Sequence, residues 1–202
     1  MPLPITVVSG IPRSGTSMMM SVLGAAGLPL LSDDKRAPDP SNPRGYFEFE
    51  AVKSTQKDPR WLEGAAGHAV KVVHALLHAL PERYAYRVLL MRRPLESVVA
   101  SQNRMLQRLG QTGGGIDDER LAQILSAQLD ESRQLLEERA CFEWIEVDYP
   151  GLMADPLSKL RHLGDFLDLP LDSASVIECI RPEFNHATSP LAPRGTASDG
   201  DL

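Results

Sequence analysis

Apolar positions along this chain follow two alternating patterns, short continuous runs and longer stretches at helical spacing. The runs at residues 5–9 and 86–91 are rich in valine, leucine and isoleucine, which is typical of strands buried on both faces of a sheet. Each run is followed by apolar residues at helical spacing, over residues 17–23 and 95–106. The alternation predicts an α/β fold, with a mainly parallel central sheet flanked by helices.

Two further helices are predicted in the second half of the chain. The first has an N-cap at Asp117 or Asp118 and runs toward Arg139, with apolar residues along one side. The second begins at Asp155-Pro156, because aspartate is a good cap and proline is tolerated in the first turn. Its predicted buried stripe comprises Leu157, Leu160, Leu163 and Leu167.

Composition and charge limit the classes of function. At 202 residues and 43% hydrophobic content, the chain is long enough for one domain, which we place at residues 1–187, with a flexible tail over 188–202. The net charge of −6 argues against general nucleic-acid binding. The N-terminus has no signal-peptide pattern and no apolar run approaches a membrane span, so we expect a cytoplasmic protein. Cys141 and Cys179 form no metal-ligand pattern, and we expect reduced thiols and no bound metal.

Directly after the first strand comes a glycine-punctuated loop, Gly10-Ile11-Pro12-Arg13-Ser14-Gly15-Thr16-Ser17. Its two glycines allow backbone N–H groups to turn toward an anion, and the N-terminus of the following helix adds partial positive charge. The spacing fits a Walker A loop, but Thr16 replaces the lysine that reaches the terminal phosphates of ATP or GTP. A bare G-x-x-x-x-G occurs about once by chance in a chain of this length. Its position between a strand and a helix, with hydroxyl groups in the loop, favours phosphate binding over a turn that needs glycine for geometry alone.

The end of the second apolar run indicates the kind of phosphate ligand. In an ATP or GTP hydrolase, a strand near the phosphate loop ends in an acidic residue that helps to hold Mg²⁺. Here the strand ends in Arg92 and Arg93, followed by Pro94. The missing Walker lysine, together with arginine at this strand end, predicts anion contacts without a metal.

These residues resemble the sulfotransferases that use 3′-phosphoadenosine 5′-phosphosulfate (PAPS). In that family a Pro-(Lys/Arg)-Ser-Gly-Thr-(Ser/Thr) loop holds the 5′-phosphosulfate, and an arginine with a serine eight residues later holds the 3′-phosphate. Arg93 and Ser101 have that spacing, whereas Arg92, the rival, lies one residue too far from Ser101. Pro94 departs from the aspartate that the bacterial branch often has. The resemblance implies that the nucleotide is bound by Gly10, Pro12, Arg13, Ser14, Gly15, Thr16, Ser17, Arg93 and Ser101.

Weaker matches extend the resemblance from about Ile5 to Pro170. Residues 42–48 resemble a segment that follows the phosphate-loop helix in bacterial members, and residues 147–156 resemble a strand-to-helix junction of the family. The C-terminal R-K-G segment of the cytosolic enzymes has no clear counterpart beyond Arg194-Gly195.

The resemblance implies an enzyme that transfers a sulfuryl group from PAPS to a hydroxyl or amine. Such a transfer develops charge on the bridging oxygen, by analogy with phosphoryl transfer, and needs positioned donors. The loop N–H groups from Ser14 to Ser17 and the side chain of Arg13 are predicted to supply them. Lys71 matches a lysine that precedes the arginine strand in the cytosolic enzymes, and we predict it as a second cation.

Two residues are equally favoured as the catalytic base, the group that takes the proton from the acceptor hydroxyl or amine. His74 lies three residues after Lys71, where the cytosolic enzymes have a histidine two residues after the lysine. In a strand, this shift of one residue would turn the side chain to the other face of the sheet, which argues against His74. The argument would not apply if a helix or turn started there. Glu48 is the other candidate, with Glu50 as its competitor, because other branches of the family use a glutamate.

Two alternative functions stay open at this stage. One is a P-loop kinase of a small metabolite, and the other is a non-catalytic nucleotide-binding module on the same fold. For a sulfotransferase, the acceptor could be a small molecule, a glycan or a peptide, in a pocket lined by residues 32–44 and 110–118. No pattern in the sequence indicates an oligomeric state.

Overall fold

A computed structural model describes residues 3–33, 35, 45–111 and 115–180. In these ranges the strands are β1 (Ile5–Gly10), β2 (Leu30–Leu31), β3 (Ala69–Lys71), β4 (Tyr86–Arg92) and β5 (Phe142–Asp148). They form one sheet in the order β2-β3-β1-β4-β5, and each described pairing is parallel. The predicted tail, Arg194-Gly195 and much of the segment 32–44 lie outside the described residues.

Helices cover the sheet on both faces. The α-helices are α1 (Thr16–Ala25), α2 (Leu95–Arg108), α3 (Asp118–Glu138), α4 (Tyr149–Ala154), α5 (Pro156–Leu167) and α6 (Ala174–Glu178). Three short 3₁₀ helices of the described chain span Glu50–Ser54, Arg60–Gly64 and His74–Ala79. The structure therefore confirms the predicted α/β fold with a parallel central sheet flanked by helices. Within the described residues, no helix combines the length and the apolar content that crossing a membrane requires.

The central strands are apolar without interruption because both faces of the sheet are covered. Val8 and Leu89 pack with α1 and α5 in one hydrophobic cluster. Their neighbours Val7 and Val88 point to the opposite face, into a cluster that includes Leu77. Successive side chains of a strand alternate between faces, so both sets must be apolar in strands buried on two sides.

The two predicted helix starts are confirmed, and an aspartate caps each of them. The carboxylate of Asp117 accepts a hydrogen bond from the Arg120 N–H at 2.8 Å, and that of Asp155 from the Ser158 N–H at 3.3 Å. The predicted stripe of α5 is wrong at Leu157, which is 47% exposed. Helical spacing assigns a residue to a face, but it does not say how far along the axis the core extends.

The chain order of the strands determines where a ligand would bind. The connection after β1 leads through α1 to β2 and β3, on one side of β1. The connection after β4 leads through α2 and α3 to β5, on the other side. The strand order thus reverses between β1 and β4, which makes this a topological switch point. Ligands of open α/β sheets bind outside the carboxyl ends of the strands at such a point.

Candidate functional site

A cavity of about 340 Å³ lies at the carboxyl ends of β1, β3, β4 and β5. Its lining brings together most of the predicted site residues, namely Pro12, Arg13, Gly15, Thr16, Ser17, Glu48, Lys71 and Arg93. Four other predicted residues, all within the described part of the chain, are not in the lining: Gly10, Ser14, His74 and Ser101.

The loop after β1 needs both of its glycines. Gly10 and Gly15 have φ angles of 144° and 106°, which side chains rarely tolerate. A Cβ at Gly10 would lie 2.6 Å from the Ser14 Oγ, and one at Gly15 would lie 2.5 Å from the Tyr149 ring. Ser14 closes the loop, because its N–H donates to the Ile11 carbonyl at 3.0 Å and its side chain is buried against Gly10.

The N-terminus of α1 faces the cavity. The helix begins at Thr16, directly after Gly15, and no side chain caps it. The first N–H groups of an α-helix have no partner within the helix, and the helix dipole makes this end partially positive. Because Thr16, Ser17 and Met18 line the cavity, this end of α1 is suited to an anion.

Direct hydrogen bonds join the predicted 5′-phosphosulfate loop to the predicted 3′-phosphate pair. The Arg13 Nε donates to the Ser101 Oγ at 3.0 Å, and the Arg93 Nη1 donates to the Arg13 carbonyl at 3.2 Å. Arg13 has a φ of 81°, so the loop turns sharply at this residue. The two motifs, 80 or more residues apart in sequence, therefore form one polar network in the fold.

The adjacent arginines after β4 have different surroundings. Arg92 is 45% exposed and forms ion pairs with Glu146 at 2.6 Å and Asp148 at 2.9 Å. Arg93 lies in the cavity wall, and its guanidinium stacks 4.6 Å from the centroid of the Tyr149 ring. Burial lowers the pKa of Arg93, an effect that Tyr149 opposes. A cation kept partly out of water gains most from an anionic ligand, so Arg93 suits a phosphate contact better than Arg92 does.

Tyr149 is a site residue that the sequence motifs did not single out. It is the first residue of α4, directly after β5, and its ring lies between Arg93 and Gly15 in the cavity wall. Burial raises the pKa of its phenol, while the charges of Arg93 and Arg13 act in the opposite direction. Its place at the carboxyl end of a strand is the signal that could have identified it.

Lys71 and Glu48 meet beside the first turn of α1. The Lys71 Nζ lies 3.4 Å from the Ser17 Oγ and 4.0 Å from a Glu48 carboxylate oxygen, and it also donates to the Tyr46 carbonyl. The Lys71 side chain is 10% exposed and that of Glu48 is 32% exposed. A carboxylate and an ammonium group thus stand together where the phosphate loop meets the rest of the cavity.

His74 and Glu50 lie away from this pair. A 3₁₀ helix begins at His74, and the buried imidazole lies 3.3 Å from the Gly10 carbonyl oxygen and 3.0 Å from the Gln128 Oε1. Both of its ring nitrogens therefore contact protein groups behind the loop. Glu50 is exposed and forms an ion pair with Lys53 at 2.9 Å.

The remaining wall of the cavity is largely apolar, and no sequence motif indicates it. Its apolar residues are Phe49, Val52, Val73, Leu76 and Met105. These residues come from three separate segments and carry no motif. Each one read alone is typical of an ordinary core position.

Comparisons with known proteins agree with the fold. A sequence model of the Sulfotransferase family matches residues 32–173, a range that begins after the phosphate loop and includes Glu48, Lys71, Arg93 and Tyr149. No curated protein matches this sequence.

Several solved structures share the fold at low sequence identity. Sulfotransferase STF1 from Mycobacterium tuberculosis H37Rv has a TM-score of 0.56 at 18% identity, over 89% of this chain and 71% of that one. The sulfotransferase domain from the curacin biosynthetic pathway has a TM-score of 0.51 at 16% identity, over 89% and 78% respectively. Sulfotransferase STF9 from Mycobacterium avium has a TM-score of 0.50 at 17% identity, over 94% and 70%. Because the family match spans more than half of the 202 residues, the chain belongs to the sulfotransferase family.

Proposed function

We propose that this protein transfers a sulfuryl group from PAPS to an acceptor hydroxyl. One observation carries the proposal: Arg93 shares a cavity with the uncapped N-terminus of α1. A P-loop kinase is expected to have a lysine at the position of Thr16 and a Mg²⁺-binding carboxylate after the neighbouring strand. This cavity has a hydroxyl at the first position and a guanidinium at the second.

The residues present fit PAPS, which when bound supplies an activated sulfuryl group. The N–H groups at the start of α1, with Arg13 and Lys71, would hold the 5′-phosphosulfate. They would stabilise the bridging oxygen as it gains negative charge, and losing one such donor commonly costs about 10²–10³ in rate. Arg93 would hold the 3′-phosphate, with its guanidinium carbon 4.6 Å from the centroid of the Tyr149 ring. Ser101 is outside the cavity lining and would support this site through the hydrogen bond that it accepts from Arg13.

Glu48 is the residue that we assign as the base. In the transfer, a new bond forms between the acceptor oxygen and sulfur, and the bond from sulfur to the bridging phosphate oxygen breaks. The acceptor proton passes to the Glu48 carboxylate, and the nucleotide leaves with the electron pair. Glu48 lines the cavity 4.0 Å from Lys71, whereas both ring nitrogens of His74 contact Gly10 and Gln128. These contacts favour Glu48 between the two candidates.

Thermal-shift titration with 3′-phosphoadenosine 5′-phosphate (PAP), Mg-ATP and AMP tests the nucleotide class. Ligand at 100 times its Kd adds about 2.7 kcal/mol, or roughly 5–10 °C in a domain of this size. We expect PAP to give this shift, Arg93→Ala to remove most of it, and Arg92→Ala to retain it. A shift with Mg-ATP alone would assign the protein to the kinases, and no shift with any nucleotide would contradict the proposal.

A further inference from the structure

The cavity has an apolar end; two of its residues follow β3, and one, Met105, belongs to α2, which follows β4. We call this end the apolar wall and define it as Phe49, Val52, Val73, Leu76 and Met105. Val73 and Leu76 follow β3, which is paired with β1 on the side away from β4. Phe49, Val52 and Leu76 belong to, or pack against, the hydrophobic cluster that holds Val70 and Val72. These three residues of the wall are thus a part of the core that is open to the cavity.

Contacts behind the apolar wall hold it in place. The Phe49 ring meets the Trp61 ring edge-on, with centroids 5.8 Å apart and planes at 80°. The Trp61 Nε1 donates to the Thr55 Oγ1 at 3.0 Å, and that hydroxyl donates to the Val52 carbonyl at 2.7 Å. Thr55 is 2% exposed, so this link is sheltered from water. A wall fixed before binding loses little side-chain freedom when a ligand arrives.

Polar groups stand at the boundary between the apolar wall and the phosphate loop. Glu48 directly precedes Phe49 in the chain, and Lys71 lies two residues before Val73. Lys53, which also lines the cavity, is 59% exposed and paired with Glu50, so its charge is close to solvent. A molecule against the wall would therefore present one end to Glu48 and Lys71 and its body to hydrocarbon.

We propose that the acceptor is an alcohol with an uncharged hydrocarbon body, and this inference rests on the proposed function. The hydroxyl would lie at Glu48, and the body would lie along Phe49, Val73 and Leu76. Each methylene buried there strengthens binding by about fourfold. A sugar or a polar peptide would bury hydroxyl or amide groups without partners at this wall, at a cost of about tenfold in affinity for each group.

The test is sulfuryl transfer from radiolabelled PAPS by the full chain to matched acceptors. The alcohols are 1-butanol, 1-hexanol and 1-octanol, and the polar acceptors are methyl glucoside, N-acetylglucosamine and a serine-containing tetrapeptide. We expect kcat/KM to rise by about fourfold for each added methylene until the wall is covered. The polar acceptors should react far more slowly than 1-octanol.

A pair of leucine variants locates the effect at the apolar wall. Leu76→Ala should raise the KM for 1-octanol by about tenfold, with the KM for PAPS unchanged. Leu157→Ala removes the same atoms from an exposed site and should change neither value. A normal PAP thermal shift in Leu76→Ala shows that the variant is folded with its nucleotide site intact.

The outcomes separate this inference from the proposed function. Binding of PAP with faster turnover of sugars or peptides than of alkanols would overturn the inference alone. Binding of PAP with no alkanol turnover, or with no dependence on alkanol length, would do the same. Failure to bind PAP would overturn the proposed function, and the inference with it.

Discussion

The two ends of the cavity are built in different ways. The charged end consists of residues that directly follow β1, β4 and β5, represented by Gly15, Arg93 and Tyr149. The apolar wall consists of side chains from segments that the sheet brings together, such as Phe49 and Leu76. The first end depends on where strands stop, and the second depends on how distant segments pack. Changes at the charged end should therefore alter nucleotide binding, and changes at the wall should alter acceptor binding.

The largest expected effect is at the junction of the two ends. Glu48→Gln should lower kcat by about 10²–10⁴, because it removes the proton acceptor and keeps the shape of the side chain. PAP affinity should stay within about twofold of the native value, since Glu48 is not a phosphate ligand. Steady-state kinetics and calorimetry with PAP measure the two quantities.

Two controls accompany Glu48→Gln. Glu50→Gln changes an exposed carboxylate of the neighbouring 3₁₀ helix and should leave kcat unchanged. His74→Ala removes a buried ring bonded to Gly10 and Gln128, so it should lower the melting temperature more than the turnover of the folded fraction. Full activity in Glu48→Gln would contradict its assignment as the base.

The second prediction concerns the backbone conformation of the phosphate loop at the charged end. Gly15→Ala should weaken PAP binding by about tenfold or more, because a Cβ at a φ of 106° would lie 2.5 Å from the Tyr149 ring. Gly27→Ala is the matched control, since Gly27 has a φ of 88° with no atom within 4 Å of the added Cβ. Gly27→Ala should lower stability through strain and leave PAP affinity unchanged. Equal loss of PAP affinity in both variants would contradict the specific role of the phosphate loop.

The third prediction concerns the support of Arg93. Tyr149→Leu removes the aromatic face 4.6 Å from the guanidinium and should weaken PAP binding by about three- to tenfold. Tyr149→Phe keeps the face and should bind PAP within about twofold of the native protein. Kinetics with 1-octanol at saturating PAPS should show an unchanged acceptor KM in both variants. A raised acceptor KM would show that the two ends are not separable.

The smallest expected effect is a dependence of stability on alkaline pH. Burial raises the pKa of the Tyr149 phenol above its usual value, and Arg93 and Arg13 oppose the shift. Above about pH 10 the unfolded chain loses this proton while the folded chain retains it. The free energy of unfolding therefore falls as pH rises toward the folded pKa, by at most about 1.4 kcal/mol per pH unit. Urea unfolding near pH 9, 10 and 11 measures this free energy, which should fall less steeply with pH in Tyr149→Phe than in the native protein. Equal slopes in the two proteins would contradict the prediction.

Spacing rules correctly predicted features that are local in the chain. A cap at Asp117 or Asp118 and the strand before the phosphate loop were predicted because they depend on neighbours within a few residues, and the structure has the cap at Asp117. Leu157 was predicted in the buried stripe and is exposed, because periodicity does not report the length of the core. The resemblance to the family's arginine–serine spacing favoured Arg93 over Arg92, and in the fold Arg93 lies in the cavity wall. Which phosphate Arg93 contacts stays a prediction.

The sequence by itself determined the strand–loop–helix unit and the α/β class. The φ angles at Gly10 and Gly15 and the start of α1 follow from short-range sterics and hydrogen bonding. The tertiary structure decided the neighbours: it joined Arg13 to Ser101, set Tyr149 beneath Arg93, and assembled the apolar wall. Those contacts depend on strand order and on the packing of helices against the sheet. A periodic pattern assigns a side chain to a face, but the side chain that it meets comes from another part of the chain.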